Sequence, residues 1–160
     1  MPAHDGETAK KHYEDFPVGE TVAFGRKVVT KEEIVAYARA FDPQPFHLDE
    51  AAARNSVIGR LCASGWHTCA MLMRMYADEV LLAATSLGSP GIAEARFMKP
   101  VFPGDTLSAR YTCAEKRILK SRPGVGMCRM QFELLNQQGE IVMTWDTQQL
   151  YRIRHPERAA

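Results

Sequence analysis

From Trp66 to Ala84 the chain carries only three charged residues, Arg74, Asp78 and Glu79. Trp66, Cys69, Ala70, Met73, Ala77, Val80, Leu81 and Ala84 fall on one helical stripe, and Met71, Leu72, Met75 and Leu82 cover much of the remainder. A helix apolar on most sides is stable in water only when other structure wraps it. It is not a membrane span. The longest charge-free stretches, Leu61–Met73 and Val80–Ala93, fall short of the ~18 apolar residues a crossing helix needs, and Gly88, Pro90 and Gly91 break the second. The stripe therefore reads as the centre of a soluble core.

What surrounds that helix is legible in outline. Thr21–Val29 reads as a strand bent at Gly25. Thr30 with Glu33 three residues later is a capping box, and Ile34, Tyr37, Ala38 and Phe41 follow at helical spacing, so a helix over Lys31–Phe41 is predicted. Pro43 and Pro45 end it, because proline lacks an amide proton and restricts the residue before it. Asp42–Leu48 then reads as an extended loop, and Asp49–Arg54 as one further helical turn. Beyond Gly91 the pattern changes to strands over Ile92–Lys99, Thr106–Leu119, Val125–Asn136 and Glu140–Arg154, a four-strand meander with turns at Pro100–Asp105, Ser121–Gly124 and Asn136–Gly139. One antiparallel sheet wrapped around one apolar helix buries all of this, an α+β domain over Tyr13–Arg154. Residues 1–12 and 155–160 read as flexible tails. Such a sheet keeps an edge strand, through which two copies could join.

The balance of 20 Lys plus Arg against 19 Asp plus Glu, a net +1, gives no basic footprint for nucleic acid and no electrostatic membrane anchor. The N-terminal stretch has no apolar run of the kind found in a leader, so a cytoplasmic protein is expected. Cys62, Cys69, Cys113 and Cys128 lack C-x-x-C spacing and read as reduced core thiols. No His, Cys, Asp and Glu cluster has metal-ligand spacing, and no glycine-rich phosphate loop or G-x-S-x-G elbow occurs, so neither metal nor cofactor is expected.

Two segments could carry chemistry. In Phe41-Asp42-Pro43-Gln44-Pro45-Phe46-His47 a carboxylate and an imidazole stand five residues apart on a proline-stiffened stretch. Proline lowers the ordering cost of holding both at one separation, and such a pair can hold a water and exchange its proton. Spacing alone also fits Asp42 as a residue after a helix and His47 as a neighbour of the N-cap Asp49. In Ala63-Ser64-Gly65-Trp66 the first-turn amides lack internal partners and carry the positive end of the helix dipole, and at Gly65 a ligand carbonyl could approach closely. Ser64 equally reads as an ordinary N-cap, and His67 as a core or surface histidine. Arg96, Lys99 and Arg117 are either solvated strand residues or neutralisers of a phosphate-bearing ligand.

With these residues in place, the chain resembles the MaoC-like dehydratases, a family that includes the R-specific enoyl-CoA hydratases. The resemblance runs from Tyr13-Glu-Asp-Phe-Pro-Val-Gly19 to the last strand. Phe41–His47 is similar to the family signature, Ala63-Ser64-Gly65 to the segment opening the central helix, and Arg96-Phe-Met-Lys-Pro100-Val-Phe-Pro-Gly104-Asp105 to a further strand and turn. The resemblance implies a hotdog fold, a curved antiparallel sheet around one long central helix. It implies a homodimer or a dimer of dimers. It implies an acyl-CoA substrate, with CoA part of the substrate rather than a cofactor. The family's catalytic acid and imidazole carry over to Asp42 and His47, and its oxyanion amide to Gly65; Gln44, Phe46, Ser64 and Trp66 fall around the substrate. Gln44 stands where asparagine is usual, Phe41 where glycine is, and Ser64 where histidine or proline often is. These departures bear on acyl length. The expected reaction is reversible hydration of a trans-2-enoyl thioester to an R-3-hydroxyacyl thioester. An acyl-CoA thioesterase and a non-catalytic acyl-thioester-binding subunit are the alternatives.

Overall fold

A computed structural model describes residues 10–158. Its five strands are β1 (Thr21–Val28), β2 (Gly91–Phe97), β3 (Thr106–Leu119), β4 (Arg122–Leu135) and β5 (Ile141–Arg152), joined in one antiparallel sheet in the order β1-β3-β4-β5-β2. Thus β3, β4 and β5 form the expected meander, but β2 does not open it. It crosses to the far edge and pairs with β5, from Gly91 opposite Gln148 to Phe97 opposite Met143. The connection through Pro100 and Pro103 is too long and too poor in amide donors for a tight hairpin. It instead stays at β5, where Met98 and Lys99 N–H both donate to the Val142 carbonyl.

Helix α1 (Lys31–Phe41) starts at the predicted capping box. Glu33 N–H donates to Thr30 Oγ1 at 3.2 Å, and Thr30 N–H to Glu33 Oε2 at 3.3 Å. The segment read as an extended loop after it is partly helical: α2 spans Pro45–Leu48. Proline at the first helical position sacrifices no hydrogen bond, so Pro45 starts a turn where it was expected to prevent one. A further short helix, α3 (Glu50–Arg54), is capped by Asp49, whose Oδ1 accepts from Ala52 N–H.

The central helix α4 (Gly65–Tyr76) runs on into a π-helical turn at Ala77–Leu81. It buries Thr68, Cys69, Leu72, Met75 and Tyr76 against Phe24, Leu107, Tyr111, Met130, Phe132, Leu134 and Met143 of the sheet. The stripe named from the sequence matches this face only in part: Cys69, Val80 and Ala84 are buried, but its other members turn outward or stay partly covered. Trp66 is 63% exposed and Met73 41%, and Ala70 between them is exposed as well. On a helix apolar nearly all round, periodicity does not say which side meets the sheet, and the π turn shifts every later position by a residue. The helix is therefore covered on one side only.

Gly25 shows how α4 is seated. Its φ of +76° breaks the β1 register between Phe24 and Lys27, and a Cβ there would lie 2.6 Å from Met75 Sδ. Its N–H donates to Glu79 on the π turn at 3.0 Å. The chain is anchored earlier than the sequence suggested: Lys11 N–H donates to the Ala83 carbonyl, and Thr85 N–H to that of Lys11. Of the predicted tails, residues 1–9 and 159–160 lie outside the described residues, and Pro156–Arg158 forms a 3-10 turn. The four cysteines are buried and unbridged.

Candidate active site

The end of α1 and the turn of α2 place two groups together. Asp42 closes α1 through its N–H to the Ala38 carbonyl. His47 N–H then donates to the Gln44 carbonyl, folding the imidazole back toward the acid. His47 Nε2 lies 3.5 Å from Asp42 Oδ2. On its other side, His47 Nδ1 lies 2.7 Å from the Cys62 carbonyl oxygen. A carbonyl only accepts, so Nδ1 carries a proton, and Nε2 is the ring nitrogen that faces the acid.

Asp42 is held from both sides. Ser64 donates its hydroxyl to Oδ2 at 2.6 Å, and Gln44 Nε2 donates to Oδ1 at 2.7 Å. The Ser64 hydrogen bond foremost, then that of Gln44, hold the carboxyl below its ordinary pKa, with the nearby imidazole adding to them. These donors favour the charged carboxylate. An ionised oxygen and a ring nitrogen thus face each other across 3.5 Å, and whenever that nitrogen is unprotonated both are acceptors. Such a pair is satisfied by a molecule that donates two hydrogens, which describes water.

Ser64 does occupy the N-cap position, its carbonyl accepting from Thr68 N–H, but its side chain makes no capping hydrogen bond because the hydroxyl is committed to Asp42. The first amides of α4 are left without a side-chain cap. Gly65 is the first of them. A Cβ there would lie 2.7 Å from Phe97 Cζ, so the glycine lets the Phe97 ring lie against the helix start.

These groups open onto a cleft of about 420 Å³. Asp42, Gln44, Phe46, His47, Ser64, Gly65 and Trp66, all seven site residues named from the sequence, line it. Ile58, Phe97, Met98 and Val101 complete the apolar wall. Ile58 and Val101 sit in irregular segments with no periodicity to announce them. The Cys62 carbonyl that orients His47 is a main-chain group and leaves no mark in composition. His67 lies apart from the cleft. It is buried, stacked on Tyr37 at 4.7 Å, and 3.6 Å from Glu33 Oε1 through Nε2, while its Nδ1 has no partner among the described residues. Burial pushes its pKa down.

A single antiparallel sheet packed on a central helix is the hotdog fold, here with an acid and an imidazole at the helix's N-terminal end. The family model described as "MaoC like domain" matches residues 15–128, and the chain belongs to that family. A solved MaoC-like dehydratase from Rhodospirillum rubrum is 39% identical, with a TM-score of 0.84 over 89% of this chain and 97% of that one. Protein MaoC of Klebsiella aerogenes is 27% identical over 71% of this chain and 33% of its own length. Mesaconyl-CoA hydratase of Cereibacter sphaeroides is 30% identical over 86% of this chain and 40% of its own. The chain therefore spans well under half of either of these two relatives. No helix among the described residues is long and apolar enough to cross a membrane.

Proposed function

We propose that the protein reversibly hydrates a trans-2-enoyl thioester, of CoA in the first instance, to the R-3-hydroxyacyl thioester. The observation that carries this reading is the approach of Asp42 Oδ2 and His47 Nε2 to 3.5 Å on the cleft that Gly65, the first residue of α4, also lines. One water donating to both would be held with its oxygen lone pair free. With the thioester oxygen against the Gly65 N–H, the β-carbon of the substrate faces that lone pair.

As the water oxygen bonds to the β-carbon, His47 Nε2 takes its proton; Asp42, kept ionised by Ser64 and Gln44, stabilises the imidazolium that forms. The electron pair of the double bond moves toward the thioester oxygen. There the Gly65 N–H and the dipole of α4 hold the developing charge, a contribution of ~2.7–4 kcal/mol per donor in comparable sites. The imidazolium proton then passes, through the dyad, to the α-carbon, and the hydroxyl remains on the β-carbon. No redox partner enters, and CoA acts only as the thiol of the substrate. The R hand is the one expected from the family resemblance.

A pair of chains fits this reading. The edge strand β2 leaves backbone groups unpaired, and Ile92, Phe97 and Met98 on and beside it are each about half exposed, next to the bare face of α4 with Trp66. A second copy joined there would cover both.

Purified protein given crotonyl-CoA and longer trans-2-enoyl-CoA esters should remove the conjugated thioester absorbance without releasing free thiol. Absence of turnover across short and medium chains would refute hydration, and thiol release in its place would identify a thioesterase.

A further inference from the structure

Two extended stretches run side by side beneath the cleft. One leads from Arg60 through Ser64 into α4; the other leads from Lys99 toward β3. Ala63 N–H donates to the Val101 carbonyl between them at 2.8 Å. At one end stand Gly65 and the dyad. At the other, the Arg60 guanidinium lies 4.1 Å above the centre of the Phe102 ring. Lys99 and Pro100 line the acyl cleft and also a second hollow of about 520 Å³, which is polar and bounded by Arg60, Phe102 and Gln137 together with two carboxylates, Glu140, paired with Lys99, and Asp105, which accepts from Phe102 N–H and Gln137. A third hollow of about 300 Å³, bounded by Glu50, Arg54 and Arg60, adjoins it through Arg60.

The charges along this path are unevenly matched. Lys99 pairs with Glu140, and Glu50 pairs with Lys31 at 3.1 Å. Among the described residues, neither Arg54 nor Arg60 has a carboxylate within 4.0 Å. Two guanidinium groups without counter-ions, sharing one hollow, favour an anion. Planar guanidinium binds phosphate oxygens two at a time, and stacking on Phe102 orders Arg60 before any ligand arrives. Arg60 precedes Gly65 by five residues, so their Cα atoms lie at most ~17 Å apart. A pantetheine arm covers such a span between its thioester and its phosphate.

We propose that Arg60, with Arg54 beside it, binds the phosphate at the far end of the substrate's pantetheine arm. This rests on the thioester reading above. Arg96 and Arg117, the cations noted with Lys99 in the sequence, lie elsewhere: Arg96 pairs with Glu94 at 2.9 Å, and Arg117 borders a small hollow beside Lys116 and Glu115. The phosphate could belong to CoA or to the phosphopantetheine of a carrier protein, and the two are separable.

The test is calorimetric titration of CoA, 4′-phosphopantetheine and pantetheine into the wild-type chain, Arg60→Ala, Arg54→Ala, Arg60→Lys and, as a charge-matched control, Lys120→Ala at the β3–β4 turn. Arg60→Ala should weaken CoA binding about tenfold or more, as loss of a charge-assisted contact does. Arg54→Ala should weaken it less, Arg60→Lys should recover part, and Lys120→Ala should match wild type. Added salt should weaken CoA binding to wild type more than to Arg60→Ala. If 4′-phosphopantetheine shows the same dependence on Arg60, the arm's own phosphate is the contact, as a carrier protein would also present it; dependence with CoA alone would place the contact on the nucleotide part and overturn the proposal. Wild-type CoA affinity in Arg60→Ala, or an equal loss with pantetheine, overturns the proposal. Arg60-dependent CoA binding without turnover of any enoyl thioester would leave this site standing and defeat hydration alone.

Discussion

Asp42 accepts from Ser64 on one oxygen and from Gln44 on the other, so its charge and its direction are both set before substrate arrives. Removing the stronger donor tests that arrangement. In Ser64→Ala the carboxyl titration of Asp42, followed by carbon NMR, should move up toward its ordinary value, and kcat should fall about tenfold or more, the scale of one charge-assisted hydrogen bond. Gln44→Leu should move the titration in the same direction by less. An unmoved Asp42 titration in Ser64→Ala would show that the hydroxyl does not hold the acid. At the dyad itself, Asp42→Asn and His47→Ala should each cost about 10²-fold or more in kcat. Gly65→Ala separates packing from chemistry. Its methyl meets only the far end of the Phe97 ring, so the chain should fold with a small change in melting temperature. The displaced ring should enter the cleft and depress turnover, and Phe97→Leu in the same chain should restore part of it. The acid and imidazole were legible in the sequence because Pro43 and Pro45 stand between them in a short stretch that resembles the family signature. Ser64 as their partner was not, since that contact joins positions 22 residues apart and local reading gives a serine before a helix a cap to make.

Elements show the same division between near and far. The capping box at Thr30 and Glu33, the ends of α1 and the long strands β3 to β5 all follow from signals within a few positions, and the fold class follows from their order. The phase of α4 and the place of β2 depend on what packs where. A helix with apolar residues on every side offers two faces to the sheet, and a proline-rich connection does not reveal which edge its strand will reach. The bare face of α4 has a consequence at this scale. Trp66, Ala70 and Met73, with Ile92 and Phe97 of β2, leave an apolar surface that a monomer rarely keeps. Met73→Glu is exposed in the single chain and should leave the fold intact by circular dichroism. Sedimentation velocity should show wild type as a dimer or larger and the variant shifted to monomer at micromolar concentration. A wild-type monomer at that concentration would remove pairing from the proposal.

For the whole molecule, buried ionisable groups set the pH range of stability. Burial lowers the pKa of His67 from its ordinary 6.5; Glu33 opposes the shift and Lys27 adds to it. The unfolded chain therefore binds a proton there that the folded chain refuses. Where the unfolded state holds more protons, stability rises with pH. The contribution of His67 is thus complete above about pH 6.5 and is lost as pH falls through its folded value. Glu33, Asp42 and Asp146, all held below their ordinary values, extend the loss at lower pH. On the alkaline side the sign reverses. Burial raises the thiols of Cys62 and Cys69 above their usual 9.0 and the phenols of Tyr76 and Tyr151 above their usual 10.0. Above about pH 9 the unfolded chain gives up protons that the folded one keeps, and stability declines. Melting temperature measured across pH should therefore form a plateau between about pH 6.5 and 9 that falls away on both sides. His67→Gln, which cannot gain the proton in either state, should delay the acid decline below pH 6.5 and leave the alkaline decline in place. An acid limb identical to wild type in that variant would place the first proton uptake at another group.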